Sequence, residues 1–434
     1  MKITPLKSVE ISEKQETSPA KNLLVIGVLF FVFGFVTWLG SVLVPYLKIT
    51  CQLTNTASYL VAFSFYISYL IFALPSALVL QKIGYKNGMV VGLLLISLGT
   101  FLFIPAAQSR TFLLFLLGQF IQGSGLAILQ TAANPYVVKL GPPESAARRI
   151  SMMGICNGIA GIIAPIILGS IVLNDADSGQ LKMFAFDLEK KAQLLQEIAN
   201  KVIAPYGLMT FILLFLAFCI YRIDLPEIAS ENDDSTEKNA ENNPKSIFEF
   251  PHLLVGVIAL FLYVGVEVIA ADSIILFGAS QGIAMSTAKF FTSFTLAGML
   301  IGYLIGILLI PKYISQEKAL MVSAILGIVF CLLALMTDGN MSLTCIALLG
   351  LANALIYPSI WPLALNGLGS LTKIASSLLI MAIGGGAILP LIYGYLADRF
   401  SPHQGYWLVI PCYFFILYFS FSSFNNEFIS CSVR

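Results

Sequence analysis

Two carboxylates, Glu267 and Asp272, interrupt the otherwise apolar stretch YVGVEVIAADS. A carboxylate at the centre of a bilayer costs about 2.5–3.5 kcal/mol, so one retained there is expected to bind an ion or pass a proton. The spacing puts the pair about 140° apart on a regular helix, too far round to share one narrow site. Asp272 also lies near the end of its segment, where it reads equally as a solvated residue. A second group is made of amides: Gln119, Gln122, Gln130 and Asn134 fall on a face about 120° wide of one apolar helix. Amides donate and accept, which suits a polyhydroxylated ligand; interhelical hydrogen bonding is their other use in a membrane bundle. Asn157 sits on a small-residue face with Gly154, Gly158 and Gly161. Asn353, Tyr357 and Trp361 form one stripe at i, i+4 and i+8, beside Pro358 and Pro362. An aromatic face beside an amide can stack a sugar ring and bond its hydroxyls; anchoring at the membrane interface is the alternative. Trp38 stands near a stripe of Gly27, Gly34 and Ser41.

Other chemistries lack their residues. There is no GxxxxGK[ST] phosphate loop, no HExxH and no nucleophile elbow, so neither ATP hydrolysis nor another enzymatic activity is expected. The seven cysteines are scattered without metal-ligand spacing, and the two histidines, His252 and His403, lie near segment ends. No cofactor is expected; any energy must come from an ion gradient, of H+ or Na+, or from the gradient of the ligand itself. Lys plus Arg (24) nearly balances Asp plus Glu (23), which argues against a nucleic-acid partner.

The elements that must position these residues are helices in lipid. The chain of 434 residues is 58% hydrophobic and 11% charged, and apolar runs long enough to cross a bilayer recur along it. We expect an all-α polytopic fold with twelve spans, at 23–47, 57–80, 88–107, 112–137, 150–173, 206–222, 251–278, 286–310, 318–336, 341–363, 374–396 and 405–424. The stretch Phe112–Gly169, two apolar segments about a polar turn, organises the first half. With the N-terminus inside, cytoplasmic segments carry sixteen Lys or Arg and external ones eight, four of the latter in 174–205. That asymmetry places both termini in the cytoplasm and the protein in the inner membrane. The expected domains are a tail (1–22), a six-helix bundle (23–222), a linker (223–250), a second bundle (251–424) and a tail (425–434). The external segment 174–205 has the pattern of a short amphipathic helix. The linker holds eight acids and two lysines and reads as flexible. A repeat supports the division: Gly161, Pro165 and Gly169 recur as Gly386, Pro390 and Gly394, each in the fifth apolar segment of its half. Gly298, Gly302 and Gly306 predict close helix packing.

These stretches resemble the major facilitator superfamily, and within it the glucose/galactose branch of the fucose–galactose–glucose:proton symporters. The resemblance rests on GFVTWL (Gly34 to Leu39), QKIGYKNGM (Gln81 to Met89), LQTAANPY (Leu129 to Tyr136), YVGVEVIAADS and MAIGGGAILP (Met381 to Pro390). It implies import of a monosaccharide such as glucose, galactose or fucose by alternating access, with the halves rocking about a midplane site, and a monomer is expected. Asn157 matches an amide that contacts sugar in the family's fucose permeases. Two positions depart from the pattern: Gly40 and Ser41 stand where the family's first span has Asn-Asp, and Gln130 stands where its proton-coupled fucose permeases have an acid. Glu267 is then the foremost coupling residue, with Asp272 beside it. An uncoupled sugar facilitator and an exporter of another small molecule remain open alternatives.

Overall fold

The computed structural model describes residues 19–139, 146–173, 188–223, 249–310, 312–366, 368 and 371–432. Among the described residues, twelve helical segments are long and apolar enough to cross a membrane. They are Leu24–Thr50, Asn55–Leu80, Lys82–Ser109, Phe112–Ala133, Met152–Val172 and Glu189–Arg222 in the first half. The second half has Pro251–Asp272, Met285–Leu309, Gln316–Met336, Gly339–Leu365, Ser377–Arg399 and Pro402–Ser422. We call these spans one to twelve. The expected count and order hold, and most boundaries agree within a few residues. The linker lies almost wholly outside the described residues. At the two ends the helices run further than expected: the first begins at Pro19 and the last continues to Ser432, so 425–432 is helical rather than a tail.

Within the first half, glycine permits the close helix approaches that a bundle in lipid needs, because apolar side chains gain nothing by leaving lipid for protein. Gly34 of span one lies against the backbone of Asn157 in span five, and Gly99 of span three lies against Gly118 and Gln122 in span four. Spans two and three turn at Gly84, whose φ of 80° is the left-handed conformation glycine tolerates. In the second half, Gly298, Gly302 and Gly306 pack on Leu351, Ala354 and Leu355 of span ten, the close contact their spacing predicts.

Span one kinks at Leu39, span six at Lys201–Val202, span ten at Ala354–Leu355 and span eleven at Ile383–Gly384, and the helix of span seven breaks just past its end, at Ser273. The break in span ten lies one turn before Pro358, whose ring excludes a helical bond to the carbonyl of Ala354.

The repeated G-x3-P-x3-G motif lies where the halves meet. Gly161 and Gly169 in span five face Leu296 and Lys289 of span eight, while Gly386 and Gly394 in span eleven face Tyr66 and Tyr59 of span two. Each copy thus seats its helix on the opposite half, a pseudo-symmetric pair of contacts. Several hydrogen bonds join the halves at or between the bundle's middle and the end away from the linker, here called the distal end. Asp398 accepts from the backbone N–H groups of Asn55 and Thr56 at 2.8 and 2.7 Å and from the Thr56 hydroxyl at 2.6 Å. The Lys289 ammonium donates to Ser170 at 3.2 Å, and Ser293 donates to the carbonyl of Ile162 at 2.8 Å. The amphipathic helix expected in 174–205 is present as Leu188–Asn200, with Leu195 and Ile198 buried. It is anchored at the distal end: Tyr46 donates to the carbonyl of Ala199 at 2.8 Å, and Gln196 donates to the carbonyls of Ala107 and Gln108.

Candidate functional site

Glu267 is half-buried on span seven. Tyr66, Tyr263, Tyr303, Tyr357 and Tyr413 all lie within electrostatic reach of its carboxyl. Tyr263 is one turn before it on the same helix, and its buried hydroxyl has the Glu267 carboxyl within hydrogen-bonding reach. Tyr66 comes from the opposite half, so this cup of phenols is built across the interface between halves. Tyr357 extends it: its ring centroid is 6.2 Å from Tyr263 and 5.9 Å from Trp361. Trp361 Nε1 is buried beside the Tyr357 hydroxyl.

On the facing wall, the Trp38 indole donates to Asn157 Oδ1 at 3.4 Å. Asn157 is half-buried, and the position of a side chain at Gly154, one turn before it, would meet open space. Trp38 reaches across the interface to Ala271, Leu296, Met299 and Ala354. Gly161, against the indole, leaves room for that ring. An indole, an amide, a carboxylate and several phenols around one interface are the groups that recognise a sugar: ring faces stack while polar tips bond hydroxyls.

The other expected site residues are spread out. The amides of span four do not converge. Gln119 is 4% exposed and faces Asp272, Thr37 and Gly40. Gln122 instead packs its Cγ on Gly99 of span three, with Nε2 buried and unpaired. Gln130 is half-buried and lies about 16 Å along the helix from Gln119, at about 1.5 Å per residue, further than one hexose extends. The side chain of Asn134 lies outside the described residues. Asn353 is buried and accepts from the Tyr413 hydroxyl at 2.8 Å, so it positions that phenol. The expectation of one shared amide face therefore fails: a helix presents different faces to different neighbours, and glycine decides which neighbour comes close.

Asp272 is not a solvated residue. It is 3% exposed. A side chain on Gly40 would begin 2.8 Å from Asp272 Oδ2. The place where the resemblance led us to expect a first-span carboxylate is thus faced by one from span seven. Sequence reasoning missed the tyrosine cup. Tyr263, four residues before Glu267, was visible in the sequence; Tyr66, Tyr303 and Tyr413 are assembled by tertiary contact alone.

A model of the Major Facilitator Superfamily matches residues 26–389. The chain belongs to the major facilitator superfamily. A glucose/galactose transporter of Brucella abortus (strain 2308) is 36% identical over 93% of this chain and 95% of the relative. An L-fucose-proton symporter of Escherichia coli (strain K12) is 29% identical over 92% of each chain. The crystal structure of the superfamily transporter FucP in its outward conformation superimposes with a TM-score of 0.69 at 27% identity, covering 92% of this chain and 98% of the other.

Proposed function

We propose that the chain is a secondary transporter that imports a hexose by alternating access, coupled to H+ or Na+. The observation that carries the reading is Glu267, half-buried in a cup of tyrosines drawn from both halves, together with the Trp38–Asn157 pair. Full-length similarity to a glucose/galactose transporter and a fucose–proton symporter supports the substrate class. Asn157 and Trp361 Nε1 bond sugar hydroxyls, Trp38 and Tyr357 stack the ring, and Glu267 serves the coupling.

The protein lies in the inner membrane with both termini cytoplasmic, which the distribution of Lys and Arg supports. The distal end is then external, and polar latches join the halves there. Both bundles come from one chain, and a monomer suffices for transport.

Uptake of labelled glucose and galactose into membrane vesicles tests the proposal under a proton gradient, a sodium gradient or none. Accumulation above the external concentration under one gradient supports coupled import. Equilibration without accumulation means an uncoupled facilitator, and absence of sugar movement overturns the substrate assignment.

A further inference from the structure

Span one at Leu39 and span seven at Ser273 kink and, with spans two and four, line a small chamber that adjoins the tyrosine cup at Tyr66. Val36, Thr37, Gly40, Tyr66, Gln119 and Asp272 are among the residues that line it. Its free volume, about 10 Å³, admits the centre of one water-sized body and no sugar. Asp272 and Gln119 are 3% and 4% exposed, and neither makes a hydrogen bond or ion pair with a described residue. The titratable groups that face Asp272 are the phenols of Tyr59 and Tyr66, and no described cation does.

A carboxylate this buried is tolerated when something compensates its charge. Room for the compensating group exists because residue 40 has no side chain: a Cβ there would come within 2.8 Å of Oδ2. The ligating atoms available are oxygens, from the Asp272 carboxylate, the Gln119 amide and the Thr37 hydroxyl. No thiol or imidazole lines the chamber. An all-oxygen set selects a hard cation. A single carboxylate balances a single positive charge, and the volume requires the ion to shed most of its water.

We propose that this chamber is a sodium site, with Asp272, Gln119 and Thr37 as ligands and Gly40 as the residue that leaves it open. The proposal rests on the carrier reading above and names its coupling ion. Bound sodium bridges span seven to spans one and four, so it favours the arrangement in which the halves meet here and gives the ion a direct hold on the transport equilibrium.

The test is binding of radioactive sodium to the purified full chain in lipid nanodiscs, without sugar or gradient, with choline holding ionic strength constant. The expected result is saturable binding that Asp272→Asn removes and Gly40→Ala weakens by about tenfold. Circular dichroism and gel filtration of each variant establish folding; Gly40→Ala keeps the carboxylate and so reports on the chamber if Asp272→Asn misfolds. Absence of saturable binding in the native chain overturns the site, as does binding that survives Asp272→Asn at full strength. The assay needs no sugar, so sodium binding without hexose uptake refutes the substrate assignment alone, and uptake without sodium binding refutes the chamber alone.

Discussion

Glu267 and Asp272 occupy the same helix five residues apart, yet they face two different regions of the molecule. Glu267 is half-buried among phenols supplied by both halves. Asp272 faces a small chamber with space for one small ion. The two groups share chemistry and a helix, and their surroundings separate their roles. Lining decides what a buried carboxylate can meet: several phenols surround Glu267, while Asp272 meets the Gln119 amide and the Thr37 hydroxyl in a mainly apolar wall.

The sharpest way to break this comparison is Glu267→Gln. We expect it to abolish gradient-driven accumulation of sugar while leaving exchange of labelled for unlabelled sugar across the vesicle membrane. Loss of exchange too would mean that the carboxylate binds sugar rather than serving the coupling. Next in size is Asn157→Ala, expected to lower sugar affinity by about ten- to a hundredfold, the equivalent of one or two lost hydrogen bonds of about 1–3 kcal/mol. Equilibrium binding to the purified chain checks it, and Gln130→Ala run in parallel reports whether span four reaches the same ligand. Unchanged uptake in both variants would remove these amides from the site.

A smaller effect is expected at the distal latch. Asp398→Asn weakens three hydrogen bonds to an exposed carboxylate, and solvent screening holds their combined contribution to about 1 kcal/mol or less. The measurement is labelling of a cysteine placed at Tyr59 by a thiol reagent added from the distal side, expected to quicken as that end opens more often. The least effect belongs to Tyr357→Phe, which keeps the ring and removes one hydroxyl. Affinity should fall by a few fold, about 0.5–1.5 kcal/mol; a larger loss would place this phenol in direct contact with a sugar hydroxyl.

Much of the fold was legible because lipid imposes simple rules. Twelve long apolar runs have to be helices, since backbone groups in hydrocarbon must bond within their own segment. The spacing of Gly161, Pro165 and Gly169 and its recurrence at Gly386, Pro390 and Gly394 marked the two halves, and the structure sets both copies at the interface. The site was legible in part. Glu267, Asn157, Trp38 and Tyr357 stood out as polar or amphipathic residues in apolar spans. The shared amide face of span four did not survive, because Gly99 draws Gln122 toward span three while Gln119 turns to span seven's carboxylate.

The sequence alone therefore determined the number of spans, their division into two bundles and the cost-bearing residues within them, because burial in lipid acts on each segment separately. Only the tertiary structure decided which of those residues meet. Pairings such as Gly40 with Asp272, Trp38 with Asn157 and Asp398 with Thr56 join positions far apart in the chain. Their contact depends on helix rotation and kinks, which local periodicity does not encode.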